Sequence, residues 1–241
     1  MTKVISFSLW GQDLKYCIGA IRNADLAQQF YPDWQCVFQL DAIVPNIIED
    51  KLNEFENTIV IRRIDPKTNG LTKGDWRAMM WRFELICEPS VEVMLVRDCD
   101  SRLSAREAAA VEEWMVSDKQ FHSMRDHVFH SVPILGGLWG MKQGNISRSA
   151  FKALLDSWPT EDRLQTDQEF LAKEVWVRYN HHILCHDDGF FTHLWGGQSF
   201  PSPRSGLEFV GQVYDEHDVA TKYYEEELSK WLCGQKKKTT Y

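Results

Sequence analysis

The chain is expected to fold as a single α/β domain, with a mixed, mostly parallel central sheet flanked by helices. Two observations predict it. Apolar strand-type runs alternate with helical patterns along the first half of the chain, at the spacing of βαβ units. The most apolar of these runs, Val91, Val93, Met94, Leu95 and Val96, stops abruptly in Arg97-Asp98-Cys99-Asp100-Ser101-Arg102 and gives way to a helix. Two carboxylates thus end a buried strand just before a helix, where open α/β sheets bind their ligands. At 241 residues the chain is long enough for one large core. No linker and no internal repeat interrupts it, so 1–233 reads as one domain and 234–241, with Lys236–Lys238, as a disordered basic tail.

In order, Val4–Leu9 is a strand ending at Trp10-Gly11, where glycine permits a tight turn and close ligand approach. A helix from Asp13 to Gln29 follows, with Leu14, Cys17, Ile18, Ile21 and Leu26 on its apolar side, and Tyr31-Pro32 closes it. Trp34–Leu40 is a strand, Pro45 opens a helix with Ile47, Ile48, Leu52 and Phe55, and Thr58–Ile64 is a third strand. The polar loop Asp65–Gly74 leads into a helical stretch, Asp75–Ile86. There Arg77 and Arg82 are placed either to meet a diphosphate or sugar hydroxyl or to be solvated while Met80, Trp81 and Phe83 pack inward. After the Asp-x-Asp, Ser104 and Glu107 form a capping box. Gln120–Arg125 is a strand, and Ile134–Met141 another, whose internal glycines mark close approach of a ligand or backbone. Ser147–Trp158 is a helix, and Thr166 N-caps a further one. His182–Cys185 is the last core strand, Phe190–Gly206 a long loop, and Asp218–Leu232 an amphipathic helix.

Composition narrows the function classes. A net charge of −8 argues against a nucleic-acid partner. No apolar run is long enough for an integral membrane segment, and MTKVISFSLWGQD lacks the cleavage signature of a signal peptide. The six cysteines are scattered without paired spacing, the pattern of reduced thiols, and the expected location is cytoplasmic. Most of the ten tryptophans are expected in the core, though exposed rings would suit stacking on sugars or bases. No pattern specifies an oligomeric state.

Asp98 and Asp100, two residues apart on extended backbone, can converge on one ion. Hard oxygen donors of this kind suit Mg²⁺ or Mn²⁺ shared with substrate phosphates. No G-x-G-x-x-G is present, which argues against a dinucleotide enzyme. The groups His122, His127, His130 and His181, His182, His186 match no closed zinc spacing. His122 alternates with strand residues and reads as structural, while Asp126 and His127 leave a strand end and are candidates for acceptor contact or base.

With these residues assembled, the chain resembles a glycosyltransferase of the GT-A fold, a Rossmann-like architecture. The strings RDCDSRLSARE, FHSMRDH, PILGGLWGMK and TDQEFL resemble small bacterial and viral glycosyltransferase-like proteins over most of residues 4–190. The resemblance implies a metal-dependent hexosyl- or deoxyhexosyltransferase. Its donor would be a nucleotide-sugar, UDP-linked before GDP- or TDP-linked, and its acceptor a glycan or other hydroxyl. It implies Mn²⁺ or Mg²⁺ held by Asp98, Asp100 and a late strand-end His186. The base would lie against Ser8, Leu9 and Trp10, and the donor against Arg77, Arg82, Asp98, Gly136 and Gly137. Asp167-Gln168 resembles the Asp-Gln pair of retaining, glycogenin-like transferases, although Glu169 replaces their second Asp and their Lys-Pro-Trp signature is missing. Both stereochemical outcomes stay open. An inverting enzyme needs a base, Asp126 or Asp167, and a retaining one would turn Asp167 or Gln168 toward the developing oxocarbenium charge. The competing classes are a nucleotidyltransferase or metal-dependent phosphohydrolase, which would want a basic glycine loop after the first strand, and a non-catalytic carbohydrate-binding module.

Overall fold

The computed structural model describes residues 2–65, 67–159 and 161–238. Its strands are β1 (Thr2–Leu9), β2 (Gln35–Leu40), β3 (Thr58–Arg62), β4 (Ile64–Asp65), β5 (Gly70–Leu71), β6 (Val91–Arg97), β7 (Phe121–Arg125), β8 (Leu138–Lys142) and β9 (Ile183–Asp187). The helices are α1 (Leu14–Phe30), α2 (Asn46–Leu52), α3 (Ala105–Val116), α4 (Arg148–Ser157) and α5 (Thr166–Phe170), with a 3₁₀ segment at Trp76–Cys87 and a C-terminal helix at Lys222–Lys238. Seven strands form one sheet in the order β3-β2-β1-β6-β8-β7-β9. Only β8 runs against its neighbours, so the sheet is mixed and mostly parallel, as expected.

Strand alternation sends Ile5, Phe7, Leu9, Val93 and Leu95 to one face, where α1, α2 and α3 cover them. Val4, Met94, Val96, Trp139 and Met141 face the other way, onto the 3₁₀ segment, Phe151 of α4 and the α5 region. The chain moves outward from β1 to β2 and β3, then returns to β6 on the other side. The β1–β6 boundary is therefore the switch point at which such sheets open a crevice. Because β8 is antiparallel, Leu138 pairs with Arg97, and the residues just before β8 stand beside the carboxyl end of β6.

Several local expectations change. α1 buries Cys17, Gly19, Ala20, Asn23, Ala24 and Ala27, while Leu14 is 58% exposed. Small residues let the helix lie closer to the sheet than the larger apolar stripe would. Half of the capping box forms: Ser104 Oγ accepts the Glu107 N–H at 3.2 Å. The Glu107 carboxylate instead accepts from Arg97 Nε at 2.7 Å and Tyr31 Oη at 2.9 Å inside the core. The β8 strand starts only at Leu138, leaving Gly136 and Gly137 in the preceding turn. Gln165, at φ 71°, caps α5 in place of Thr166, and α5 continues through a π-helical stretch, Leu171–Trp176. The loop after β9 carries a short helix, Thr192–Trp195. The C-terminal helix runs on through Lys238, beyond the expected end at Leu232, and 239–241 lie outside the described residues. Trp34, Trp114 and Trp139 are the tryptophans in the buried core, and Trp76 is 42% exposed. All six thiols are free, and among the described residues no helix is long and apolar enough to cross a membrane.

Candidate active site

The centre grows from the end of β6. Asp98 leaves the strand with its side chain 46% exposed, and one of its oxygens accepts from Arg82 Nη1. Arg82 is itself buried, and its backbone N–H donates to Ser8 Oγ at 3.1 Å, which ties the 3₁₀ segment to the end of β1. Its Nη1 also donates to the Arg97 carbonyl at 3.0 Å, and Nη2 donates to Asp167 Oδ2 at 2.9 Å. One guanidinium thus joins Asp98 to Asp167, 2% exposed at the start of α5. The other Asp167 oxygen accepts the Gln168 N–H at 2.8 Å.

Glycine makes this convergence possible. A Cβ on Gly137 would overlap the Asp98 carboxylate, and one on Gly136 would overlap that of Asp167. The turn before β8 is therefore the floor on which both carboxylates rest. Asp98, Asp167, Gln168, Arg82, Gly136 and Gly137, singled out separately in the sequence, come together here.

Asp100 points toward α1, where Lys15 Nζ lies 2.8 Å from its Oδ2. Burial raises the Asp100 carboxyl above its usual range, and the like charge of Asp98 adds to this, with Lys15 pulling the other way. The Lys15 ammonium is held charged by Asp100 against the cost of its partial burial. At the end of β1 the Ser8 carbonyl meets the Cys99 thiol at 3.6 Å and the Leu9 carbonyl accepts the Asp41 N–H at 3.1 Å. Trp10 stands edge-on to Trp76, ring centroids 6.1 Å apart, and presents the aromatic surface at this strand end. Arg77 lies apart from the centre, exposed and folded onto its neighbour Asp75.

Three expected participants belong elsewhere. His186 sits on β9, with β8 and β7 between it and β6. Its ring is fully buried, hydrogen-bonded to His122 Nε2 at 2.8 Å and to Glu113 at 3.3 Å, and burial lowers its pKa. It does not complete a site with Asp98 and Asp100, and among the described residues no group of three or more metal-ligating side chains is assembled. Asp126 is fully buried. Arg106 donates to both its oxygens at 3.0 Å, Arg204 to one of them, and the Val210 N–H to the other at 2.9 Å. With four donors its lone pairs are saturated, and it holds the C-terminal loop instead of facing an acceptor. His127 is likewise occupied by the Tyr224 carbonyl and the Phe129 N–H.

One element escaped the sequence reading. Residues Val213–Thr221 form a tight turn that lies against Ser101 and Asp100, so the last helix, expected from Asp218, starts only at Lys222. The turn's only sequence signal was the Asp215 and Asp218 pair typical of turns.

No family model matches the chain, and no curated protein matches it by sequence. Solved structures do. Over 78% of this chain and 58% of that one, S. aureus TarS 1–349 is similar at 14% identity and a TM-score of 0.51. The glycosyltransferase GlyE of Streptococcus pneumoniae TIGR4 matches 78% of this chain at 12% identity and a TM-score of 0.50, covering 46% of its own length. The galactosyltransferase LgtC, in complex with donor and acceptor sugar analogs, aligns over 94% of this chain and 95% of that one at 10% identity, with a TM-score of 0.48. The chain spans about half the length of the first two. With one antiparallel strand in its seven-stranded sheet, a switch point beside an Asp-x-Asp and the likeness to TarS and GlyE, the chain has the GT-A fold.

Proposed function

We propose that the chain is a metal-dependent glycosyltransferase, moving a sugar from a nucleotide-diphosphate donor to a hydroxyl of a glycan or similar acceptor. The observation that carries this reading is the convergence of Asp98, Arg82 and Asp167 over Gly136-Gly137 beside the β1–β6 switch point. UDP is the expected carrier, by resemblance, with the base against Trp10 and Trp76.

The donor set fits a hard divalent cation. Asp98 and Asp100 offer only oxygen, Asp98 is half exposed, and the two like charges oppose one another unless a cation lies between. Mn²⁺ or Mg²⁺ bound there would supply charge neutralisation for the departing diphosphate. The protein residues do the remaining work. Arg82 keeps Asp98 and Asp167 at fixed separation and presents a positive charge to the donor. Lys15 lies against Asp100 and opposes the rise that burial gives its carboxyl. Asp167, aligned by Arg82 and by the Gln168 N–H, stands where charge develops at the anomeric carbon. Gln168 orients the sugar beside it.

Calorimetry with UDP and Mn²⁺ tests the reading. Asp98→Asn and Asp100→Asn should each abolish Mn²⁺-dependent UDP binding while circular dichroism stays unchanged. Undiminished metal-dependent binding in both variants would sink the assignment.

A further inference from the structure

We infer that Arg102 is a positioning residue for the Asp-x-Asp site, acting through the C-terminal turn Val213–Thr221; the inference rests on the reading of Asp98 and Asp100 as cation ligands. Asp100 can serve as a ligand only if the backbone that carries it is held, and its three consecutive carbonyls show how this is done. Those of Cys99 and Ser101, on either side of it, both accept from Arg102 Nη1, at 3.4 and 2.9 Å. Both also accept from the buried Asn23 amide of α1, at 3.4 and 2.9 Å. The carbonyl of Asp100 itself accepts the Tyr214 N–H at 2.9 Å, and Ser101 and Val213 form an antiparallel bridge. The strand end is therefore gripped from α1 on one side and from a turn more than a hundred residues later on the other.

Arg102 couples the two sides. Its Nε donates to Asp218 Oδ1 at 3.0 Å and its Nη2 to the Asp215 carbonyl at 3.3 Å, and its guanidinium lies 5.1 Å from the centre of the Tyr214 ring. The turn is preformed to receive it. Asp215 Oδ1 accepts the His217 and Val219 N–H groups at 2.9 and 2.8 Å, Asp218 takes the left-handed conformation at φ 59°, and Tyr214 bridges Ala220. A planar fork of five donors can join backbone carbonyls on one segment to a carboxylate and a carbonyl on another, and the single ammonium of lysine cannot. The Arg102 side chain is 9% exposed and its hydrogen bonds go to Asp218 and to the backbone carbonyls of Cys99, Ser101 and Asp215, so its influence runs through the backbone it fixes.

The test uses the full chain with Arg102→Ala, with Arg102→Lys in its place should the alanine variant fail to fold, and with Arg22→Ala, which removes a half-exposed contact to Asp218. Groups that orient metal ligands without touching the metal typically contribute about 10–100-fold in metal affinity. Mn²⁺-dependent UDP binding should weaken by about that factor in the Arg102 variants, whereas UDP binding in EDTA stays unchanged. Arg22→Ala should leave both unchanged. Hydrogen exchange should quicken together in peptides covering 98–103 and 213–221. The proposal is overturned if an Arg102 variant binds Mn²⁺–UDP as tightly as the parent chain, whatever happens to its melting temperature. If the parent chain shows no Mn²⁺-dependent UDP binding, the cation reading fails on its own. The exchange experiment then decides the clamp, and faster exchange confined to 213–221 overturns it.

Discussion

Arg82 holds two carboxylates apart and together at once, and most of the site's behaviour follows from it. Removing Asp98 or Asp167 leaves the guanidinium with its other partner, so substitutions there should read out in chemistry more than in stability. A positioned acid or base typically contributes about 10²–10⁴ in rate. Asp167→Asn should retain Mn²⁺–UDP affinity by calorimetry but lose transfer, or hydrolysis of the donor, by about that factor. Turnover near the parent rate would leave Asp167 as a helix-capping neighbour of Gln168. Asp126 makes the contrast. Breaking a buried ion pair leaves uncompensated charge, so Asp126→Asn should lower the unfolding free energy by about 3–5 kcal/mol in urea titrations. Any lost activity should then track the unfolded fraction.

At the scale of elements, α1 packs closely against the turn after β6. Gly19 lies mid-helix, where alanine is ordinarily worth about 1 kcal/mol of added stability. Here the added Cβ would overlap the Cys99 carbonyl, a backbone atom already held by Asn23 and Arg102 and unable to give. The overlap should win. Gly19→Ala is expected to destabilise the chain by about 1–3 kcal/mol, the usual cost of overpacking, and to weaken Mn²⁺–UDP binding because the displaced carbonyl adjoins Asp100. Stability at or above that of the parent chain in urea would show that the helix can shift. α1 itself was readable from its period and from Asp13, whose side chain accepts the Lys15 N–H as N-cap. Its buried face was not. A stripe of Cys17, Ala20, Ala24 and Ala27 looks less apolar than one of Leu14, Ile18 and Ile21, and is chosen only by how near the sheet comes.

For the whole molecule, buried histidines set a response to acid. Burial pushes the His130 imidazole down to about 3, with His127 and nearby arginines adding to it, and its Nδ1 accepts the Asp126 N–H at 2.9 Å. Burial likewise holds His122 well below its ordinary value. A group whose folded pKa is depressed binds fewer protons folded than unfolded. Stability is therefore complete above the unfolded histidine value of about 6.5 and is lost as the pH falls from there toward the folded value. For each such histidine the loss is about 1.4 kcal/mol per pH unit. Urea unfolding at pH 7 and pH 5 should show it. His130→Asn, which keeps an acceptor for Asp126, should make the curve shallower by one proton; an unchanged slope would mean that His130 does not sense the fold. By itself the sequence determined the α/β alternation, the strand that ends in Asp98-x-Asp100, the two glycines and the Asp167 helix start. Each is a short-range pattern whose period or cap is written in neighbouring residues. Only the tertiary structure decided that β9 lies two strands beyond β6's neighbourhood, taking His186 into a pair with His122, and that Asp126 is saturated by Arg106 and Arg204. It also decided that the Val213–Thr221 turn returns to grip Asp100. Strand order and long-range closure depend on which distant surfaces pack together, and no local period carries that choice.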